Sequence, residues 1–94
     1  MSLKGGRPLG ATSTDPRIAK AFGRAVVALR TATGTSQESL ALKAMVDRSY
    51  LGRLERGQNV PNLVGVVKIA AAIGCSTIAL IQQFEIELAD ADGS

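Results

Sequence analysis

A small all-α domain is what this sequence predicts, and three observations carry the prediction. Hydrophobic residues make up 46% of the 94, yet only three are aromatic, so a core has to be assembled from Ala, Val, Leu and Ile, which suits closely packed helices. Residues that favour helix N-termini stand ahead of five stretches: Thr14 or Asp15, Thr35-Ser36, Asp47, Asn62 and Ser76. Glycines close three of those stretches, at Gly34, Gly57 and Gly74.

The length supports one domain with a single core. No apolar run approaches the roughly 18 residues of a membrane span, and the N-terminus lacks the basic-then-apolar layout of a signal peptide. A cytoplasmic protein without a membrane partner is expected. The single cysteine, Cys75, can form neither an internal disulfide nor a metal cluster, which fits a reducing compartment. Net charge is +3, but residues 1–34 carry six basic groups against one acid, whereas the tail holds Glu85, Glu87, Asp90 and Asp92. A basic body suits a polyanionic partner.

Residues 1–14 are rich in Gly, Ser and Thr, contain Pro8 and show no periodicity, so a flexible arm is expected, with Lys4 and Arg7 at most brushing phosphates. The folded domain spans 15–83. Its first helix has Pro16 at the first helical position, where a missing N–H costs nothing, and ends at Gly34. Ile18, Phe22, Ala25 and Leu29 form its apolar face, while Arg17, Lys20 and Arg24 form a basic stripe expected to be solvated.

After a connection from Gln58 to Pro61, a helix from Leu63 to Ile73 carries one charge, Lys68. Its expected core face is Leu63, Val66, Ala70 and Ile73. A fifth helix begins at Thr77, with Ile78 and Ile81 expected inward. Cys75, between two apolar helices, is expected to act as a small buried hydrophobe. Residues 84–94 form a C-terminal extension. The alternation in Phe84-Glu85-Ile86-Glu87-Leu88 suits a strand, but the helix preference of Glu and Leu and the lack of a pairing strand favour a longer helix. Phe84, Ile86 and Leu88 are expected to lie beyond the core and to form a dimer contact.

The remaining stretch, Thr35 to Gly57, is two short helices joined by a tight turn at Ala44-Met45-Val46. Leu40, Ala41 and Ala44 give the first an apolar edge; Leu51 and Leu54 do so for the second. Neither is long enough to be stable alone, so tertiary packing must hold both. Two such helices inside a small basic helical domain make a helix-turn-helix arrangement.

From Leu29 to Ile81, over half the chain, the sequence resembles the helix-turn-helix family of phage repressors and Cro, also called the Xre family. Ser36-Gln37, Leu40-Ala41 with Ala44, Arg48-Ser49-Tyr50-Leu51 and Leu54-Glu55-Arg56-Gly57 carry the resemblance. Pro61-Asn62-Leu63, Lys68-Ile69-Ala70, Ile73-Gly74 and Ser76 continue it in register. The resemblance implies a compact five-helix lambda-repressor-like DNA-binding domain, working as a transcriptional regulator on double-stranded DNA as a homodimer. In this family the third helix enters the major groove, which places Arg48, Ser49 and Arg53 toward base edges. Arginine can donate two hydrogen bonds to guanine N7 and O6, so guanine-containing half-sites are expected, unless one of the two arginines contacts only phosphate. Phosphate contacts fall to Gln37, Tyr50, Arg56, Gln58 and Asn59, with Tyr50 either against the DNA backbone or covering the turn. Lys43 is the weakest such candidate. Arg30 and Glu55 occupy positions of a structural salt bridge between the first and third helices.

Two residues depart from the family pattern. Met45 stands where the turn commonly has glycine, so the turn is expected to be adjusted there. Gly52 lies inside the recognition helix and gives up about 1 kcal/mol relative to alanine.

With no histidine and no clustered carboxylates apart from the acidic tail, an enzyme is not expected, and neither is a cofactor or metal. The apolar tail motivates a second reading, an antitoxin-type module of the same fold that holds a toxin or other protein partner.

Overall fold

In the computed structural model of the chain, the described residues are 15–93. They form five helices: α1 (Pro16–Ala32), α2 (Gln37–Ala44), α3 (Arg48–Glu55), α4 (Leu63–Ile73) and α5 (Thr77–Gly93). No strand occurs among the described residues. The expected arm at 1–14, with Lys4 and Arg7, lies outside them.

Local chemistry sets most of the boundaries. Asp15 Oδ1 accepts from the N–H groups of Arg17 and Ile18, with Pro16 opening α1. Ser36 Oγ accepts from Ser39 N, Asn62 Oδ1 from Gly65 N and Ser76 Oγ from Ala79 N, so three more helices start on capped N–H groups. Asp47 holds the cap position of α3 without a side-chain hydrogen bond. At the other end of α1, Thr35 N donates to Arg30 O and Gly34 N to Thr31 O, a Schellman closure with Gly34 left-handed.

The turn between α2 and α3 has a similar closure with a less suitable residue. Met45 sits at φ 61° and ψ 44°, in the left-handed region. The expected adjustment of the turn is therefore overturned. The backbone keeps its shape, because Met45 N donates to Leu42 O and Val46 N to Ala41 O, and the side chain carries the strain of about 1 kcal/mol. Val46 packs against the core, which fixes the far side of the turn.

Phe22, Val26, Leu40, Leu51, Leu54, Ile69 and Leu80 form the central cluster. Burying each contributes about 1.5–3 kcal/mol before conformational entropy is charged against it. That burial is what holds α2 and α3, each only eight residues long. α1 packs along α5 and crosses α3, while α2 rests on α3 and α4. The α1–α3 crossing is close. A Cβ added at Gly23 would lie 2.5 Å from the carbonyl oxygens of both Leu54 and Glu55, so only glycine fits. Just beyond α3, the left-handed Gly57 lies against the backbone of Lys20.

Three expectations about facing are corrected. Leu63 is 74% exposed, and Ile69 takes its place in the core with Ala70 and Ile73. Ile78 is 70% exposed and Ile81 also points outward, while Leu80 is fully buried. Phe84 does not lie beyond the core. Its ring meets Phe22 with centroids 6.1 Å apart, and α5 runs unbroken through the expected start of the extension. The 84–88 stretch is helix, as its composition favours. Cys75 is half-buried against the core, and burial pushes its thiol pKa up, which disfavours the reactive thiolate.

No single helix among the described residues is long and apolar enough to cross a membrane. Only α4 and α5 together pass that test, and they bend by 101° where they join.

Candidate nucleic-acid interface

At 100° per residue, Arg48, Gly52, Ser49 and Arg53 fall within an arc of about 140° on α3, with Arg56 at its C-cap just beyond. Leu51 and Leu54 occupy the other side and are completely buried. The hydrophobic core therefore decides which way the arginines point. Arg48, Ser49, Arg53 and Arg56 are all exposed.

Behind that face lies a polar network. Arg30 and Glu55 pair through two parallel hydrogen bonds, Nε to Oε2 at 2.7 Å and Nη2 to Oε1 at 3.0 Å. The side chains are only 14% and 5% exposed, so this pair links α1 to α3 away from water. Arg30 Nη1 also donates to Thr35 O at 3.0 Å, tying the pair to the residue before the α2 cap. Water exclusion makes the bidentate geometry important, because either partner alone would be an uncompensated buried charge.

Gln37, the first residue of α2, extends this network to the surface. Its Nε2 donates to Glu55 Oε1 at 2.8 Å, and its Oε1 accepts from Arg48 Nη1 at 3.1 Å. Both ends of the amide are thus engaged within the protein. Asn59 does something comparable after α3. With its amide in the orientation that satisfies both groups, it donates to Gln58 O at 2.9 Å and accepts from Arg53 Nε at 3.2 Å.

Gly52 has a local explanation. A Cβ there would sit 3.1 Å from Arg56 Nη1 and 3.8 Å from Gln37 Oε1, so the missing side chain leaves the space over which Arg56 folds. Gln37, Arg48, Ser49, Arg53, Arg56 and Gln58 surround this shallow depression.

The expected site residues divide accordingly. Arg48, Ser49, Arg53, Arg56 and Gln58 come together on one open face. Gln37 and Asn59 lie on its border with their side chains committed to the arginines. Tyr50 is half-buried and packed against the core. Ile86 is exposed on α5 and Leu88 half-buried, both on a different element from the arginine face. Lys20, expected only in a solvated stripe, lies beside the end of α3, its backbone close against Gly57.

Two short helices locked to a core, with a cationic outer face on the second, define a helix-turn-helix DNA-binding regulator of transcription. The chain belongs to the helix-turn-helix family: the family model of that description matches residues 26–80. It is 36% identical over 67 residues to the control protein C.MunI of Mycoplasma sp, covering 70% of this chain and 90% of that one. Among solved structures, it is similar to the restriction-modification controller protein C.AhdI from Aeromonas hydrophila. There the identity is 44% and the TM-score 0.64, over 66% of this chain and 94% of the other. The clp gene regulator ClgR from Corynebacterium glutamicum shares the fold, with a TM-score of 0.77 at 24% identity over 81% of each chain. These relatives are controllers and regulators by name.

Proposed function

We propose that the chain is a sequence-specific regulator that binds double-stranded DNA as a homodimer, each subunit placing α3 in the major groove of one half of a two-fold-related operator. The observation that carries this reading is the placement of Arg48, Ser49 and Arg53 on the exposed side of a helix anchored by the fully buried Leu51 and Leu54. A helix so anchored presents its arginines to base edges without having to order itself first. Arg56 and Gln58, with the Gln37 end of α2, lie along the phosphates and fix register. Half-sites about 34 Å apart suit such a dimer.

The dimer is supported by apolar surface that the single chain leaves open. Leu63, Val64 and Val67 on α4 and Ile78, Ile81 and Ile86 on α5 are exposed. In this reading Ile86 and Leu88 belong to the contact, whereas Phe84 acts from beneath by holding α5 to α1. Likeness to a restriction-modification controller at 44% identity favours the controller class over a phage-type repressor or an antitoxin.

Selection of bound duplexes from a random DNA pool, with the molar mass of the complex measured in solution, tests this. A guanine-containing palindrome bound by two subunits is the expected result. A preference that survives unchanged in both Arg48→Ala and Arg53→Ala would refute the assignment of base reading to α3.

A further inference from the structure

Gln37 and Asn59 both carry side-chain amides that already hold an arginine of the recognition face. We infer that these two amides are specificity-determining positioning residues, Gln37 aiming Arg48 and Asn59 aiming Arg53, an inference that rests on the base-reading role proposed for those arginines.

An amide presents one donor and one acceptor, and which end faces where is decided by its neighbours. For Gln37 the decision comes from Glu55. That carboxylate is 5% exposed, already accepts two hydrogen bonds from Arg30, and can only accept, so it draws Nε2 inward. Oε1 is then left facing outward, where it accepts from Arg48 Nη1. The buried ion pair thereby sets the polarity of a surface amide, and the amide sets the direction of a guanidinium. Arg48 retains other N–H groups in a fixed fork for a second acceptor pair. For Asn59 the anchor is the backbone carbonyl of Gln58, which takes the amide N–H and turns the oxygen toward Arg53 Nε.

The chemical consequence concerns selectivity. An arginine free to rotate finds phosphate as readily as guanine, and only a guanidinium held in plane offers both donors to N7 and O6 together. A residue that merely touched phosphate would strengthen all sequences alike.

The two roles separate in a base-by-base binding experiment. Single-guanine substitutions of the selected operator are measured against the full-length chain and against Arg48→Ala, Arg53→Ala, Gln37→Ala, Asn59→Ala and the double variants Gln37→Ala with Arg48→Ala and Asn59→Ala with Arg53→Ala. The arginine variants identify which guanine each reads. Gln37→Ala is expected to lower discrimination at the Arg48 guanine on the order of tenfold, to leave the Arg53 guanine within about twofold, and to add nothing in the Arg48→Ala background. Asn59→Ala is expected to give the converse pattern. Thermal melting of each variant separates this from a folding defect, which would weaken both guanines together. A uniform loss across all operators, additive with the arginine substitutions, would overturn the inference and return both amides to phosphate contact. Failure of the arginine variants themselves to alter any base preference would instead overturn the base-reading assignment, and this inference with it.

Discussion

Two surfaces of this domain are built on opposite principles. The α2–α3 face is polar, and its side chains are bonded to one another: Arg30 to Glu55, Glu55 to Gln37, Gln37 to Arg48. On α4 and α5, by contrast, Leu63, Val64, Val67, Ile78, Ile81 and Ile86 are apolar and open to solvent. A polar face can be ordered within one chain, since hydrogen bonds to neighbours replace those to water at little net cost. An apolar face gains nothing until something covers it. The first is complete as it stands, and the second calls for another surface.

Four substitutions probe that contrast. The largest effect is expected from Arg30→Ala, which leaves the Glu55 carboxylate buried and unpaired. A loss of about 3–5 kcal/mol in urea unfolding is expected, together with weaker operator binding. A loss below about 1 kcal/mol would show that the polar face does not depend on its buried ion pair. Next is Ile78→Glu on the apolar face. Burial of one isoleucine is worth about 1.5–3 kcal/mol, so dimerisation measured by sedimentation should weaken on the order of tenfold or more. The unfolding of the monomer should change by no more than about 0.5 kcal/mol. An unaltered dimer would place the covering contact elsewhere.

Gly23→Ala tests the crossing that carries the polar face. The carbonyls of Leu54 and Glu55 are backbone atoms and cannot step aside, so a loss of about 1–3 kcal/mol is expected in thermal unfolding. The smallest effect belongs to Met45→Gly. Relief of the left-handed backbone, offset by a more flexible unfolded chain, should stabilise by about 0.5–1 kcal/mol with operator affinity unchanged. Met45 is 87% exposed, so no lost packing should mask the gain.

The same contrast explains what could be read from the sequence. Caps and closures depend on residues three to five apart, so Ser36, Asn62, Gly34 and Gly74 marked helix ends correctly. The outer face of α3 was legible because Leu51 and Leu54 leave only one side for the arginines. In α4 and α5 apolar residues occupy most of the circumference, and periodicity then fails to choose among faces. Hence Leu63 was expected inside where Ile69 lies, and Ile78 and Ile81 where Leu80 lies. Phe84 was misplaced for a related reason, since its contact with Phe22 depends on how α5 lies along α1. The couplings of Gln37 to Glu55 and Arg48 join residues 18 and 11 positions apart. They exist only once α1, α2 and α3 have crossed, and no local pattern announces them.

The amide of Gln37 also bears on redesign. Because it is drawn to Glu55 at one end, its free end always offers an acceptor to whatever stands at position 48. A library that randomises only positions 48, 49 and 53 therefore explores readers compatible with a fixed acceptor, and side chains such as glutamate at 48 would meet it as a repulsive neighbour. If 48 and 53 read bases as proposed, reprogramming this domain toward other bases calls for varying 37 with 48 and 59 with 53, so that each new reader is chosen together with the group that holds it.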